Sequence, residues 1–132
     1  MEKELILISH GIMAKGLKES CELIMGPQEH IHYVCLLPEE GPDDFQKKFE
    51  LEISGLELDN LDVFCDLMGG TPCNVVSRLI MEGKNINLLS GMNLPMVIGW
   101  VNSQMIGDSS DYVAVAQQGV VNVKEYLASI RS

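Results

Sequence analysis

His10 stands directly after the apolar run Leu5-Ile6-Leu7-Ile8-Ser9 and directly before Gly11, at a turn where Gly, Ser or Asn would serve more simply. A titratable ring there is either incidental or chemical. The chemical reading gains weight from Asp66, which ends a second apolar run and leads into Leu67-Met68-Gly69-Gly70-Thr71-Pro72. A carboxylate that accepts the proton of one imidazole nitrogen fixes the tautomer and turns the lone pair of the other nitrogen outward. It also stabilises an imidazolium, and hence a ring carrying a phosphoryl group, so the pair suits general-base or nucleophilic chemistry. A phosphorylated ring needs donors for the phosphate oxygens. An exposed helix N-terminus contributes only about 0.3 to 1 kcal/mol to anion binding, whereas a hydrogen bond to a charged group is worth about 1.5 to 3, so several must converge. The backbone N–H groups of Gly69 and Gly70 and the N–H and hydroxyl of Thr71 are the candidate donors, with Gly11 beside His10 counted among the phosphate-binding positions.

Those residues meet only if the chain places two strand ends side by side. The run 5–9 reads as a strand buried on both faces, after which Met13, Leu17, Cys21 and Ile24 recur at helical spacing until Gly26-Pro27 stops the helix. A strand over 31–37, a helix opened by Pro42 and marked by Phe45 and Phe49, and a strand over 61–66 follow. Thr71 and Pro72 read as N-cap and N1 of a third helix, lined by Cys73, Val76 and Ile80. Then come a strand over 85–90, the loop Gly91-Met92-Asn93, a helix over 94–105 and a shorter helix stopped by Gly119. The final segment reads as a strand through Val121 and Val123, although 124–130 also suits a helix. Strands alternating with helices define a doubly wound α/β fold, a parallel sheet of order 2-1-3-4 with helices on both faces. Its crevice lies between the carboxyl ends of strands 1 and 3, where His10 and Asp66 end their strands.

Length and composition narrow the field. With 132 residues the chain is expected to be one domain, 1–132, large enough to bury its own core. Nine basic against nineteen acidic residues give a net charge of −10, which opposes nucleic-acid binding and suits a basic protein partner. No apolar run reaches membrane-spanning length, and the start lacks a signal-peptide layout, so a cytoplasmic protein without membrane insertion is expected. Cys21, Cys35, Cys65 and Cys73 lack the spacing of a zinc or redox motif and read as small buried hydrophobes. His30 and His32 form an H-x-H pair at the amino end of the sheet, without a third ligand, so no metal is expected. No G-x-x-x-x-G-K-[ST] loop is present and no cofactor is called for. Met68 and Met92 fall on loops beside the crevice and, with Asn93, read as partner-facing.

The stretches ILISHGIMAKGLKESCELIMG, VFCDLMGGTPCNVVSRL and LLSGMNLPMV together resemble the enzyme IIA component of the mannose/fructose/sorbose family of the bacterial sugar phosphotransferase system, over nearly the whole chain. The resemblance implies a phosphocarrier, with His10 as the active-site histidine, Asp66 as its orienting aspartate, and Gly70 and Thr71 at the phosphate. The family commonly has serine where Thr71 stands and aromatic residues where Met68 and Cys73 stand. It further implies the phosphocarrier protein HPr as donor and a IIB component as acceptor, here expected as a separate polypeptide because the chain ends at Ser132. IIC and IID membrane components would act downstream. A homodimer is implied, in which a C-terminal antiparallel strand, aligned with 119–127, is exchanged between subunits. Three other readings compete. One is the related subunit that serves dihydroxyacetone kinase; another is a receiver-like module phosphorylated on Asp66; the third is a hydrolase with Cys73 or His10 as nucleophile.

Overall fold

The computed structural model describes residues 3–131. Strand β1 (Glu4–His10) lies inside the sheet, and every residue from Leu5 to Ser9 is fully buried, which is why this strand is apolar without alternation. It pairs in parallel with β2 (Ile31–Leu36) on one side and β3 (Leu61–Cys65) on the other, and β3 pairs in parallel with β4 (Asn87–Ser90). The order is β2-β1-β3-β4, as the alternation of strands and helices predicts.

The two faces of β1 separate two cores. Leu5 and Leu7 point into a core shared with Ala14 and Cys21 of α1 (Met13–Met25), with Met96, Val97 and Trp100 of α4 (Leu94–Ile106), and with Tyr112 of α5 (Tyr112–Gln118). Ile6 and Ile8 point into the other, with Phe45 and Phe49 of α2 (Pro42–Ile53) and Val76 and Leu79 of α3 (Thr71–Met81). Consecutive residues thus serve opposite layers, and α1 and α3, the helices that follow β1 and β3, leave the sheet on opposite sides.

Helix ends differ from expectation at two places. Gly70, not Thr71, is the N-cap of α3, in extended backbone (φ −89°, ψ 169°), so Thr71 is its first helical residue. The C-terminal segment is a helix, α6 (Val123–Arg131), and not the expected antiparallel strand. Asn122 caps it, its Oδ1 accepting the Glu125 N–H at 3.1 Å while its carbonyl accepts from Tyr126 at 3.0 Å. Every described residue from Gln117 onward is exposed.

Asp62 is a buried carboxylate on β3. It accepts from Trp100 Nε1 at 2.9 Å and Asn87 Nδ2 at 2.8 Å and pairs with Lys3 at 3.3 Å, so its two oxygens tie β3 to β4 and α4. Trp100→Phe removes one donor from this charge. Chemical unfolding is expected to show a loss of about 1.5 to 3 kcal/mol, the worth of a hydrogen bond to a charged group. An unchanged midpoint would mean that the indole N–H contributes nothing.

Candidate functional site

β1 and β3 run side by side in register, with Ile8 opposite Cys65, so His10, the last residue of β1, and Asp66, the residue just past β3, emerge together. There Asp66 Oδ2 accepts two hydrogen bonds from one residue, the His10 backbone N–H at 2.9 Å and the His10 Nδ1–H at 2.8 Å. A carboxylate has no proton to give, so the second contact requires Nδ1 to donate and leaves Nε2 with its lone pair. Asp66 Oδ1 is buried and has no donor among the described residues, so both of the carboxylate's donors come from His10. The His10 side chain is 45% exposed and that of Asp66 12%, an arrangement of accessible ring and sheltered carboxylate.

The glycine loop meets the ring from the α3 side. A Cβ on Gly70 would lie 2.9 Å from His10 Nε2 and closer still to Cε1, so the absent side chain is what lets the backbone approach that edge of the ring. Gly69 takes φ +90°, and its carbonyl accepts from Asn74 Nδ2 at 3.2 Å, which holds the loop to the first turn of α3. Pro72 has no N–H, so the amides of Thr71 and Cys73 are the first-turn donors that helix geometry leaves without an intrahelical acceptor. Thr71 is half-buried beside them. Met68 is exposed on the same loop.

Three expectations are corrected. Met92 is buried in the core, and its N–H donates to the Cys65 carbonyl at 3.0 Å, so it faces inward and not toward a partner. Asn93 is the N-cap of α4, accepting from Met96 N at 3.0 Å and donating to the Ala116 carbonyl at 2.9 Å, so its side chain is committed within the chain. Gly11 takes φ +57° and its N–H donates to the Leu36 carbonyl at 2.7 Å, which removes it as a phosphate donor.

The four cysteines are buried thiols. Burial, reinforced by the neighbouring Cys73 thiol and by Asp66, pushes the Cys65 thiol up to about 12, which keeps it protonated and unreactive beneath the loop. His30 and His32 lie at the far, amino end of the sheet. Glu4 bridges them, its Oε2 to His30 Nδ1 at 2.5 Å and its Oε1 to His32 Nε2 at 2.8 Å, and Glu52 takes His32 Nδ1 at 3.0 Å. Among the described residues no group of His, Cys, Asp and Glu is arranged to hold a metal ion. A cavity of about 600 Å³ also lies at that end, lined by Lys3, Gln28, Trp100 and Gln104, away from the His10 pair.

Sequence reasoning missed two contributors. Ser9 is fully buried, its hydroxyl bonded to the Ala14 N–H and the Gly11 carbonyl. Asn74 braces Gly69, and its only signal was its place in the Gly-Gly-Thr-Pro-x-Asn run.

The fold and the site together define a doubly wound α/β protein whose switch point carries an accessible, carboxylate-oriented histidine beside a glycine loop. The family model for the fructose IIA component of the phosphotransferase system matches residues 4–117, and the chain belongs to that mannose-type EIIA family. It is 32% identical to the sorbose-specific EIIA component of Lacticaseibacillus casei over 95 residues, 72% of this chain and 69% of that protein. The mannose-specific EIIAB component of Escherichia coli is 25% identical over 95 residues, 71% of this chain but only 29% of that longer protein. Among solved structures, the mannose/sorbose-specific IIA subunit of Enterococcus faecalis superposes with a TM-score of 0.81 at 28% identity, covering 92% of this chain and 95% of that one. The IIA protein associated with the fucose utilization operon of Streptococcus pneumoniae gives 0.84 at 25%, covering 96% and 97%. No helix among the described residues is long and apolar enough to cross a membrane.

Gly70→Ala tests the close approach. Its backbone conformation suits alanine, so the fold is expected to persist while the His10 ring is driven off Asp66. Side-chain ¹⁵N shifts of His10 should then show a mixture of tautomers, and a ring spectrum identical to that of the unaltered protein would show that Gly70 does not constrain it.

Proposed function

We propose that this chain is the IIA phosphocarrier of a sugar phosphotransferase system, which takes a phosphoryl group from phospho-HPr onto His10 and passes it to a IIB component that feeds IIC and IID membrane partners. The observation that carries this reading is the 2.8 Å contact from Nδ1 to Asp66, which leaves Nε2 as a nucleophile on a half-exposed ring. Nε2 attacks phosphorus, the P–N bond on the donor histidine breaks as the new one forms, and the Nδ1 proton stays on the side of Asp66. The carboxylate offsets the positive charge that the phosphorylated ring carries. The amides of the Gly69-Gly70-Thr71 loop and the Thr71 hydroxyl are the proposed phosphate donors, and exposed Met68 is a proposed partner contact. Catalysis of this kind is chiefly positioning and charge stabilisation.

A receiver-like role for Asp66 fits less well, because the carboxylate is sheltered and its Oδ2 is engaged twice by His10. A homodimer is proposed as well. Val123, Tyr126, Leu127 and Ile130 form an exposed apolar stripe at helical spacing on α6, supporting a contact with a second copy.

Incubation with phosphoenolpyruvate, enzyme I and HPr is expected to add one phosphate, labile in acid and stable to base and hydroxylamine; hydroxylamine lability would move the phosphate to Asp66. His10→Ala is expected to take up none, and retained labelling would overturn the proposal. Asp66→Asn is expected to fold and to slow transfer by about 10- to 100-fold, the usual effect of losing a partner that orients a reacting imidazole.

A further inference from the structure

The turn that carries His10 is held by a group that phosphoryl transfer itself does not use. Ser9 Oγ, fully buried at the end of β1, accepts the Ala14 N–H at 2.8 Å and donates to the Gly11 carbonyl at 3.1 Å. One hydroxyl therefore joins the strand, the turn and the first turn of α1. The N-cap of α1, Ile12, makes no side-chain cap of its own, so Ser9 supplies that cap from the preceding strand. Gly11 next to it takes the left-handed φ of +57°, its N–H fastened to Leu36 of β2, while the His10 N–H is fastened to Asp66 past β3. Little slack remains for the ring between these anchors, since the Gly70 backbone lies against its Nε2 edge.

We propose that Ser9 is a positioning residue for His10: its buried hydroxyl fixes the β1–α1 turn so that the imidazole stays on Asp66 with Nε2 beside Gly70. The role in transfer rests on the phosphocarrier reading; the effect on the ring does not. Without the hydroxyl, the Ala14 N–H and the Gly11 carbonyl lose the group that links them, and the turn can relax. The His10 Cα then shifts relative to Asp66, and the ring samples both tautomers.

The test uses Ser9→Ala and Ser9→Thr in the full chain, read by side-chain ¹⁵N spectra of unphosphorylated His10 and by steady-state transfer from phospho-HPr to IIB. Ser9→Ala is expected to show mixed tautomers and a kcat lower by about 10- to 100-fold, with the KM for the donor within about twofold because the docking face is untouched. Ser9→Thr, which keeps the hydroxyl, is expected to restore both. A Ser9→Ala protein with native ring shifts and native kcat overturns the proposal, as does a folded Ser9→Thr that behaves like Ser9→Ala. If Ser9→Ala does not fold, Ser9→Cys takes its place: the thiol fills the buried position but is a weaker hydrogen-bond partner for the Ala14 N–H and the Gly11 carbonyl. Mixed tautomers are expected again, and native ring shifts overturn the proposal. Failure of the unaltered protein to take up phosphate, with tautomers still responding to Ser9→Ala, removes the phosphocarrier reading and upholds the positioning one.

Discussion

The Asp66 carboxylate accepts both the backbone N–H and the ring Nδ1–H of His10, and this double contact governs how the upper edge of the sheet is built. It requires two residues 56 apart in sequence to emerge from adjacent strands at nearly the same level. The parallel register of β1 on β3 provides the level. Departure of α1 and α3 to opposite sides provides the room, because neither helix then crosses the space above the pair. The Leu5/Leu7 and Ile6/Ile8 alternation of β1 thereby bears on the site. By feeding two cores it obliges the sheet to be covered on both faces, and a sheet so covered opens at its strand ends.

The same geometry explains what could be read from the sequence. A run such as Leu5–Ile8 has one good home, a strand buried on both faces, and the Met13, Leu17, Cys21 spacing has one good period, so elements and sheet order followed from local pattern. The meeting of His10 and Asp66 followed as well, since topology sets the ends of β1 and β3 side by side. Inward or outward orientation on a loop is different. Met92 is buried because its N–H is drawn to the Cys65 carbonyl, a contact between distant parts of the chain that no local pattern records. Asn93 looked free for a partner, yet it is a helix cap and a tie to α5. Thr71 reads as the N-cap by residue type, yet the extended backbone falls at Gly70 and Thr71 is already helical.

The C-terminal segment was ambiguous for a physical reason. Val121 and Val123 alternate as a strand would, while Val123, Tyr126, Leu127 and Ile130 also mark a helical stripe, so the residues satisfy two periods at once. Asn122 favours the helix by supplying a cap that a strand would not use. With every described residue from Gln117 onward exposed, this stretch gains little from the rest of the fold, and local capping is left to decide.

The openness of the His10 site has a chemical meaning within the phosphocarrier reading. Enzymes that act on small molecules usually enclose them, because exclusion of water strengthens each electrostatic contact. Here the ring is half-exposed, the described cavity of about 600 Å³ lies at the other end of the sheet, and Ile12, Leu67 and Met68 present apolar surface on the two loops flanking His10. A nucleophile on such a rim can reach a phosphorus atom carried by another protein, which an enclosed one could not. The water exclusion that this chain lacks would then come from the apolar rim being covered when a partner docks. The site is preorganised in the Asp66 contact and the Gly70 approach and, within the phosphocarrier reading, open where a second protein would complete it.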